Sequence, residues 1–233
     1  MSSLAEPLYT AEEYLALERA ADHKSEFING RVYAMAGASR SHVLITTNVA
    51  GELRSRLRGH GCRTYSADLR VLIDSTGTYT YPDVAIVCGN PEFRDDGHLD
   101  TLTNPTLIVE VLSPSTEGYD RGAKFAHYRR LASLQEYVLI AQDRVSVERY
   151  TRRGEDWIIR PTDELTDRND ILHLASVGCD LPLAEVYDLV EFGNSERPEA
   201  TRNGRSRSPR SGYTKRVNTR KRPAIYARVP RKR

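Results

Sequence analysis

Residues 81–88 read YPDVAIVC and residues 104–116 read NPTLIVEVLSPST. Each stretch holds one carboxylate in an apolar run: Asp83 directly after Pro82, and Glu110 between Val109 and Val111. An almost unbroken apolar run such as PTLIVEVL suits a central strand covered on both faces. Alternation puts Ile108, Glu110 and Leu112 on one face of their strand, and Asp83, Ala85 and Val87 on one face of theirs. If the two strands are neighbours, both carboxylates converge on one point. Burying an ionised carboxylate costs several kcal/mol unless a cation or strong donors compensate. Hard divalent cations such as Mg²⁺ take one or two carboxylates together with water and substrate oxygens. That set is what phosphodiester hydrolysis requires. A structural reading stays open beside it, with Asp83 capping a turn after Pro82 and Glu110 in a core ion pair.

Working outward, SPSTEGYD reads as a turn and Tyr119 to about Leu131 as a helix. Lys124 lies four residues after Asp120, so the two share a helix face. This helix follows the Glu110 strand and must pack back on the sheet, where Lys124 could reach both carboxylates and stabilise charge on a phosphate. The alternative is a solvated salt bridge to Asp120. EYVLIA is a further strand, and VSVERYTR with WIIRP a hairpin. LPLAEVYDLV is expected as a closing helix. Upstream, CRTYSADLRVLI and YTYPDVAIVC each read as one strand. Ser41 to about Arg58 is an amphipathic helix with Ile45, Val49, Leu53 and Leu57 at helical spacing. SEFINGRVYAM is a hairpin turning at Asn29-Gly30. Thr10 to Ala20 is a helix with Thr10 and Glu13 as a capping box. The core order is helix, three strands, helix, strand: an α/β fold with an added hairpin at each end.

Of 34 basic and 32 acidic residues, residues 194–233 hold 14 basic and two acidic, leaving 20 and 30 in residues 1–193. The body is acidic and the tail strongly basic, so a nucleic-acid argument from charge rests on the tail alone. Two units follow: a domain over 1–193, and a basic tail over 194–233 with too few aliphatic residues to order itself. The tail reads as a DNA-binding arm, a solvated tail without a partner, or an aberrant extension of the reading frame. The three cysteines, Cys62, Cys88 and Cys179, form no CxxC pair and read as free thiols in a reducing compartment. No apolar run suits a secretory leader or a membrane span, so a cytoplasmic protein is expected. Neither an HExxH helix nor a GxxxxGK loop is present, which disfavours zinc peptidases and P-loop NTPases.

YPDVAIVC, NPTLIVEVLSPST, YDRGAKFAHYRRL and LQEYVLI closely resemble the bacterial Uma family of restriction-endonuclease-like proteins, within the PD-(D/E)XK nuclease superfamily. GASRSHVLITTNVAGELRSRLRG and SVERYTRRGEDW resemble it too, so the likeness spans about residues 8–192. The resemblance implies a restriction endonuclease-like core, with the Pro-Asp of the motif at Pro82-Asp83 and its second acid at Glu110. Where the superfamily expects lysine two residues after that acid, this chain has Leu112; the resemblance implies that Lys124 supplies it from the next helix. Glu26 and His42 match positions that recur in the family, although His42 also fits a hydrogen-bonded core histidine. Glu52 reads as a solvated acid. Ser113, Ser115 and Thr116 read as caps of the next helix, whose N-terminus could also receive a phosphate.

The expectation is an Mg²⁺- or Mn²⁺-dependent endonuclease acting on DNA, with Asp83 and Glu110 as metal ligands and Lys124 as electrostatic stabiliser. No membrane partner is expected, and a homodimer is a candidate assembly. The rival is a non-catalytic nucleic-acid-binding or scaffolding protein that keeps the fold. A phosphodiesterase of RNA or small phosphate esters is a third reading.

Overall fold

Thr10 opens the first helix as its sequence predicts. In α1 (Ala11–Ala20), Thr10 Oγ1 accepts from Glu13 N, and Glu13 Oε2 accepts from Thr10 N. Such a cap contributes about 1 kcal/mol. The computed structural model describes residues 8–192. The domain boundary expected at 193 and the basic segment 194–233 lie outside the described residues.

Asn29 (φ 50°) and Gly30 (φ 78°) adopt the left-handed backbone of a two-residue turn. They join β1 (Ser25–Ile28) to β2 (Arg31–Ala34). Then comes α2 (Arg40–Arg56), whose N-cap Ser39 accepts from His42 N and whose Ile45, Val49 and Leu53 are fully buried.

The two long strands expected next are each broken in two. CRTYSADLRVLI becomes β3 (Cys62–Ser66) and β4 (Arg70–Ile73), separated by a tight turn in which Asp68 N donates to Ser66 O. YTYPDVAIVC becomes β5 (Thr78–Thr80) and β6 (Val84–Cys88). Pro82 between them has no N–H to continue a ladder. In each case the first and second halves enter different sheets. After β7 (Thr101–Leu102) and the predicted central strand β8 (Leu107–Leu112), the five strands β2-β1-β5-β4-β7 form one sheet.

The helix expected from Tyr119 to Leu131 starts and ends earlier and is irregular. It runs as α3 (Glu117–Tyr119), a π turn over Asp120–Lys124, and α4 (Phe125–Tyr128). β9 (Glu136–Ala141) lies parallel to β8, and β10 (Val147–Arg153) and β11 (Asp156–Ile158) form the expected hairpin. These complete the main sheet, β11-β10-β9-β8-β6-β3, with β12 (Glu164–Leu165) beside β10. β13 (Ile171–Leu174) and β14 (Cys179–Pro182) pair as a hairpin. The closing helix shrinks to one turn, α5 (Leu183–Val186), because Leu181 and Pro182 belong to β14 and Pro182 is its N-cap.

The main sheet is covered on both faces, which explains the unbroken apolar run of β8. On one face Ile45, Val49 and Leu53 of α2 pack on Val84, Ile86, Val109 and Val111, joined by β14 and α5. On the other, Ala85, Ile108, Leu112 and Tyr137 pack under Tyr128 and against Val71 and Ile73 of the five-stranded sheet. α1 seals that smaller sheet through stacked Tyr14 and Phe27 beside Tyr79. Among the described residues no helix is long and apolar enough to cross a membrane.

The cysteine expectation needs correction. Cys62 and Cys88 face each other across β3 and β6 and are joined as a disulfide, and only Cys179 is a free thiol. Gly89 N donates to Gly61 O just beyond the pair, so it occupies a non-hydrogen-bonded site, where cross-strand side chains come closest. The cysteine count therefore no longer argues for a reducing compartment. A Cys62→Ser/Cys88→Ser chain should be less stable than the oxidised protein by about 2–4 kcal/mol, on the order of 5–10 °C in Tm. With reductant present the gap should close. Two free thiols at these positions in peptide mapping of the non-reduced protein would remove the basis for this.

Candidate functional site

Val84 pairs with Val109 and Ala85 with Ile108 across β6 and β8. One further step of that register sets Asp83 opposite Glu110, so both carboxylates leave the sheet on the same face. Pro82 ends the ladder there, and the Asp83 side chain takes over: its Oδ2 accepts from Val111 N at 2.7 Å. His42 Nε2, from the first turn of α2, lies 3.3 Å from the same oxygen.

The π turn brings the rest. One extra residue in a helical turn shifts every later side chain around the axis, and here both Asp120 and Lys124 point inward and are buried. Lys124 Nζ lies 2.8 Å from Glu110 Oε1, 3.2 Å from Glu26 Oε1 and 3.7 Å from Asp120 Oδ1. It is 4% exposed and Glu110 3% exposed. Lys124 is therefore no solvated partner of Asp120: it is the hub of three carboxylates. Tyr128 OH donates to Glu110 Oε1 at 2.9 Å, and Tyr119 OH to Glu26 Oε2 at 3.1 Å.

The electrostatics are unbalanced. Asp83, Glu110, Glu26 and Asp120 surround one lysine and one histidine. Burial raises the Glu110 carboxyl well above its ordinary value of 4.5; Lys124 opposes this, while Asp83 and Asp120 add to it. Asp120 is raised for the same reason, again against the pull of Lys124. Burial works against a charged Lys124, but Glu110, Glu26 and Asp120 outweigh it and hold the ammonium protonated. For His42, burial is likewise outweighed by Asp83 and the Val111 backbone, so its pKa rises from 6.5.

All six groups line one cavity of about 1090 Å³. Their polar contacts use Asp83 Oδ2 and Glu110 Oε1, which leaves one oxygen on each uncommitted among the described residues. Two such carboxylates fit a hard divalent cation that keeps its other positions for water and phosphate oxygens. Among the described residues no set of three or more His, Cys, Asp or Glu surrounds a single point, so a closed zinc-type cage is not what is built here.

The structure thus gathers Asp83, Glu110 and Lys124, and adds Glu26 and His42, which the sequence ranks lower. Glu52 stays outside, paired with Arg56 on the helix surface. Ser113 caps the next helical turn by accepting from Thr116 N, and its hydroxyl also bonds those of Ser115 and Thr116; all three line the cavity. Sequence reasoning missed Tyr128 and took Asp120 only as a partner for Lys124. The signal was the recurrence of Asp120, Lys124 and Tyr128 every four residues, one face of one helix.

Two stability measurements test this electrostatic picture on metal-free protein. A carboxyl whose folded-state pKa is raised lends stability at low pH and loses it as pH climbs from 4.5 through the raised value. Glu110→Gln should therefore raise Tm by a few degrees near pH 8 and flatten its fall with pH. Lys124→Met should lower stability by about 3–5 kcal/mol, because it strands buried carboxylates without their cation. A Glu110→Gln protein that melts lower than wild type at pH 8 would mean that the ion pair, not the charge excess, dominates.

The comparisons with known proteins come from three directions. The family model Uma2, described as "Putative restriction endonuclease", matches residues 11–184. The uncharacterized protein slr1290 of Synechocystis sp. is 36% identical over 187 residues, covering 80% of this chain and 95% of its own. A second uncharacterized Synechocystis protein, sll1609, is 39% identical over 153 residues, 65% of this chain and 86% of its own. Among solved structures, the crystal structure of a "putative nuclease belonging to DUF820" from Anabaena variabilis aligns with a TM-score of 0.63 at 18% identity. That alignment covers 78% of this chain and 99% of that one. The fold is therefore α/β and restriction endonuclease-like, and the chain belongs to the Uma2 family.

Proposed function

We propose that the chain is a divalent-metal-dependent endonuclease that hydrolyses phosphodiester bonds of DNA. Asp83 and Glu110 hold Mg²⁺, or Mn²⁺ in its place, and Lys124 is the electrostatic stabiliser. The observation that carries this reading is the convergence of Asp83, Glu110 and Lys124 in one cavity, with more buried negative charge than the protein itself neutralises. The family description and the fold of the Anabaena protein support nuclease chemistry in general. A divalent ion held by Asp83 and Glu110 would supply the missing positive charge, activate water and polarise the phosphate.

The chain's own groups divide the remaining tasks. Val111 N–H and His42 fix Asp83 Oδ2 and leave Oδ1 uncommitted. Tyr128 and Lys124 fix Glu110 Oε1 in the same way. Glu26 and Asp120 keep Lys124 charged and aimed, so its ammonium offers a preorganised positive charge to the oxygens of a phosphate in transit. Such groups act strongly because the site is poorly solvated.

Cleavage of plasmid DNA with Mg²⁺, with Mn²⁺ and with EDTA tests the proposal. Activity should require the metal, and Asp83→Asn or Glu110→Gln should each lower it by about 10²–10³-fold or more, the worth of several kcal/mol. Each amide keeps the side-chain volume but loses the charge that holds the ion. Metal-dependent cleavage at wild-type level in Glu110→Gln would end this mechanism. An inactive wild type that still binds DNA would favour the scaffold reading.

A further inference from the structure

α2 presents two faces. One is the buried stripe of Ile45, Val49 and Leu53; the other, recurring at Thr46/Thr47, Ala50/Gly51 and Arg54, lines the cavity that also contains Glu110 and Lys124. From His42, beside Asp83, to Arg54 is twelve residues, or about 18 Å of helix. The cavity is therefore a trough that starts at the carboxylates and runs along α2. Between those ends its helical wall has no charged residue and no side chain larger than valine.

Two features of that wall have no structural reason. Gly51 sits inside a helix with ordinary backbone, and a Cβ there would meet no heavy atom within 4 Å outside its own helix. Glycine at such a position is less favourable than alanine, and here no packing or conformational need explains it. The hydroxyls of Thr46 on α2 and Thr64 on β3, on the two sides of the trough, are buried without a hydrogen-bond partner.

A duplex is a poor occupant. Lys and Arg that neutralise phosphates serve a duplex and a single strand alike, so the depth of the site, and not its charge, separates the two. The trough offers Arg54 at its far end and Lys24, which already donates to Ala67 O and Asp68. Glu110 and Lys124 also lie below the surface, 3% and 4% exposed. A phosphate in a paired helix must bring its partner strand with it, whereas an unpaired backbone can descend alone. Unpairing a duplex first adds a free-energy cost that a single strand does not meet. We propose that this trough seats one unpaired DNA strand along α2, and that intact duplex is the poorer substrate. The inference rests on the nuclease reading and deepens it.

The test uses the full chain, so the basic residues 194–233 are common to all the variants compared. Initial cleavage rates with Mg²⁺ are compared for a labelled single-stranded oligonucleotide and its blunt duplex. Binding of the single strand is followed by fluorescence anisotropy in EDTA for wild type, Gly51→Phe and Ser55→Phe, the last on α2 but outside the trough. The single strand should be cut at least tenfold faster than the duplex. Gly51→Phe, which fills the trough, should weaken strand binding about tenfold, and Ser55→Phe should bind as wild type does. Gly51→Ala melting at or above the wild-type temperature would show that the position tolerates a side chain. Equal cleavage of both substrates, or equal binding by Gly51→Phe and wild type, overturns the inference and leaves the nuclease reading intact. If nothing is cleaved, the nuclease reading fails, and the anisotropy series alone decides whether the trough holds a strand.

Discussion

The site is organised around one imbalance: three carboxylates contact a single buried lysine, and a fourth, Asp83, pairs with His42 in the same cavity. In water such a cluster would cost little, but at 1–4% exposure Glu26, Glu110, Asp120 and Lys124 have lost most of their solvent. Each buried ion forfeits several kcal/mol of hydration. Lys124 returns part of this through contacts to three carboxylates at once, and tyrosine hydroxyls return a little more. What remains is a net negative point in a low dielectric, which a proton on Glu110 or a cation can relieve. The raised Glu110 pKa is the proton's share of that competition.

Holding such a cluster together falls to the two faces of the main sheet. The aliphatic layer beneath α2 supplies the stability; Asp83 and Glu110 leave the opposite face, and His42 from the first turn of α2 reaches Asp83. Pro82 matters to both: it ends the β6 ladder so that Asp83 stands free of strand pairing, while Val84 and Ile86 continue into the aliphatic layer. The π turn does the corresponding job on the other side of the cavity. A regular helix through Asp120–Lys124 would carry Lys124 to a different angle about its axis, away from the arrangement that now reaches Glu110 and Glu26 together.

This division explains which parts were legible in the sequence. A carboxylate in an apolar run is a local anomaly, so Asp83 and Glu110 announced themselves, and Lys124 followed from the helix that must return to the sheet. The capping box, the Asn29-Gly30 turn and the β8 strand are equally local and were read correctly. What failed was long-range. Nothing in CRTYSADLRVLI says that its halves enter different sheets, since both halves have strand character and only tertiary pairing separates them. The Cys62–Cys88 bond was hidden likewise: the odd cysteine count pointed to free thiols, and only the β3–β6 register makes the two neighbours. Glu26 is ordinary in a hairpin until the fold sets it against Lys124.

Several irregularities that local physics disfavours meet at the site. An acid in a central strand, a π turn, a helix glycine without a packing role and two unpaired threonine hydroxyls all border one cavity. Other irregularities lie away from it: Trp157 Nε1, Ser133 Oγ and Glu136 Oε1 are buried without a partner, Glu18 and Asp163 are buried acids, and Leu189 has a left-handed backbone. A sequence selected for stability alone would remove such costs one residue at a time. Gly51→Ala is sterically open, and Glu110→Gln keeps volume while shedding a buried charge. Each change is worth about as much as a typical stabilising substitution. Their clustering around a common space, with stabilising layers on either side of it, is the pattern expected where a fold gives up stability to keep a charged, open site.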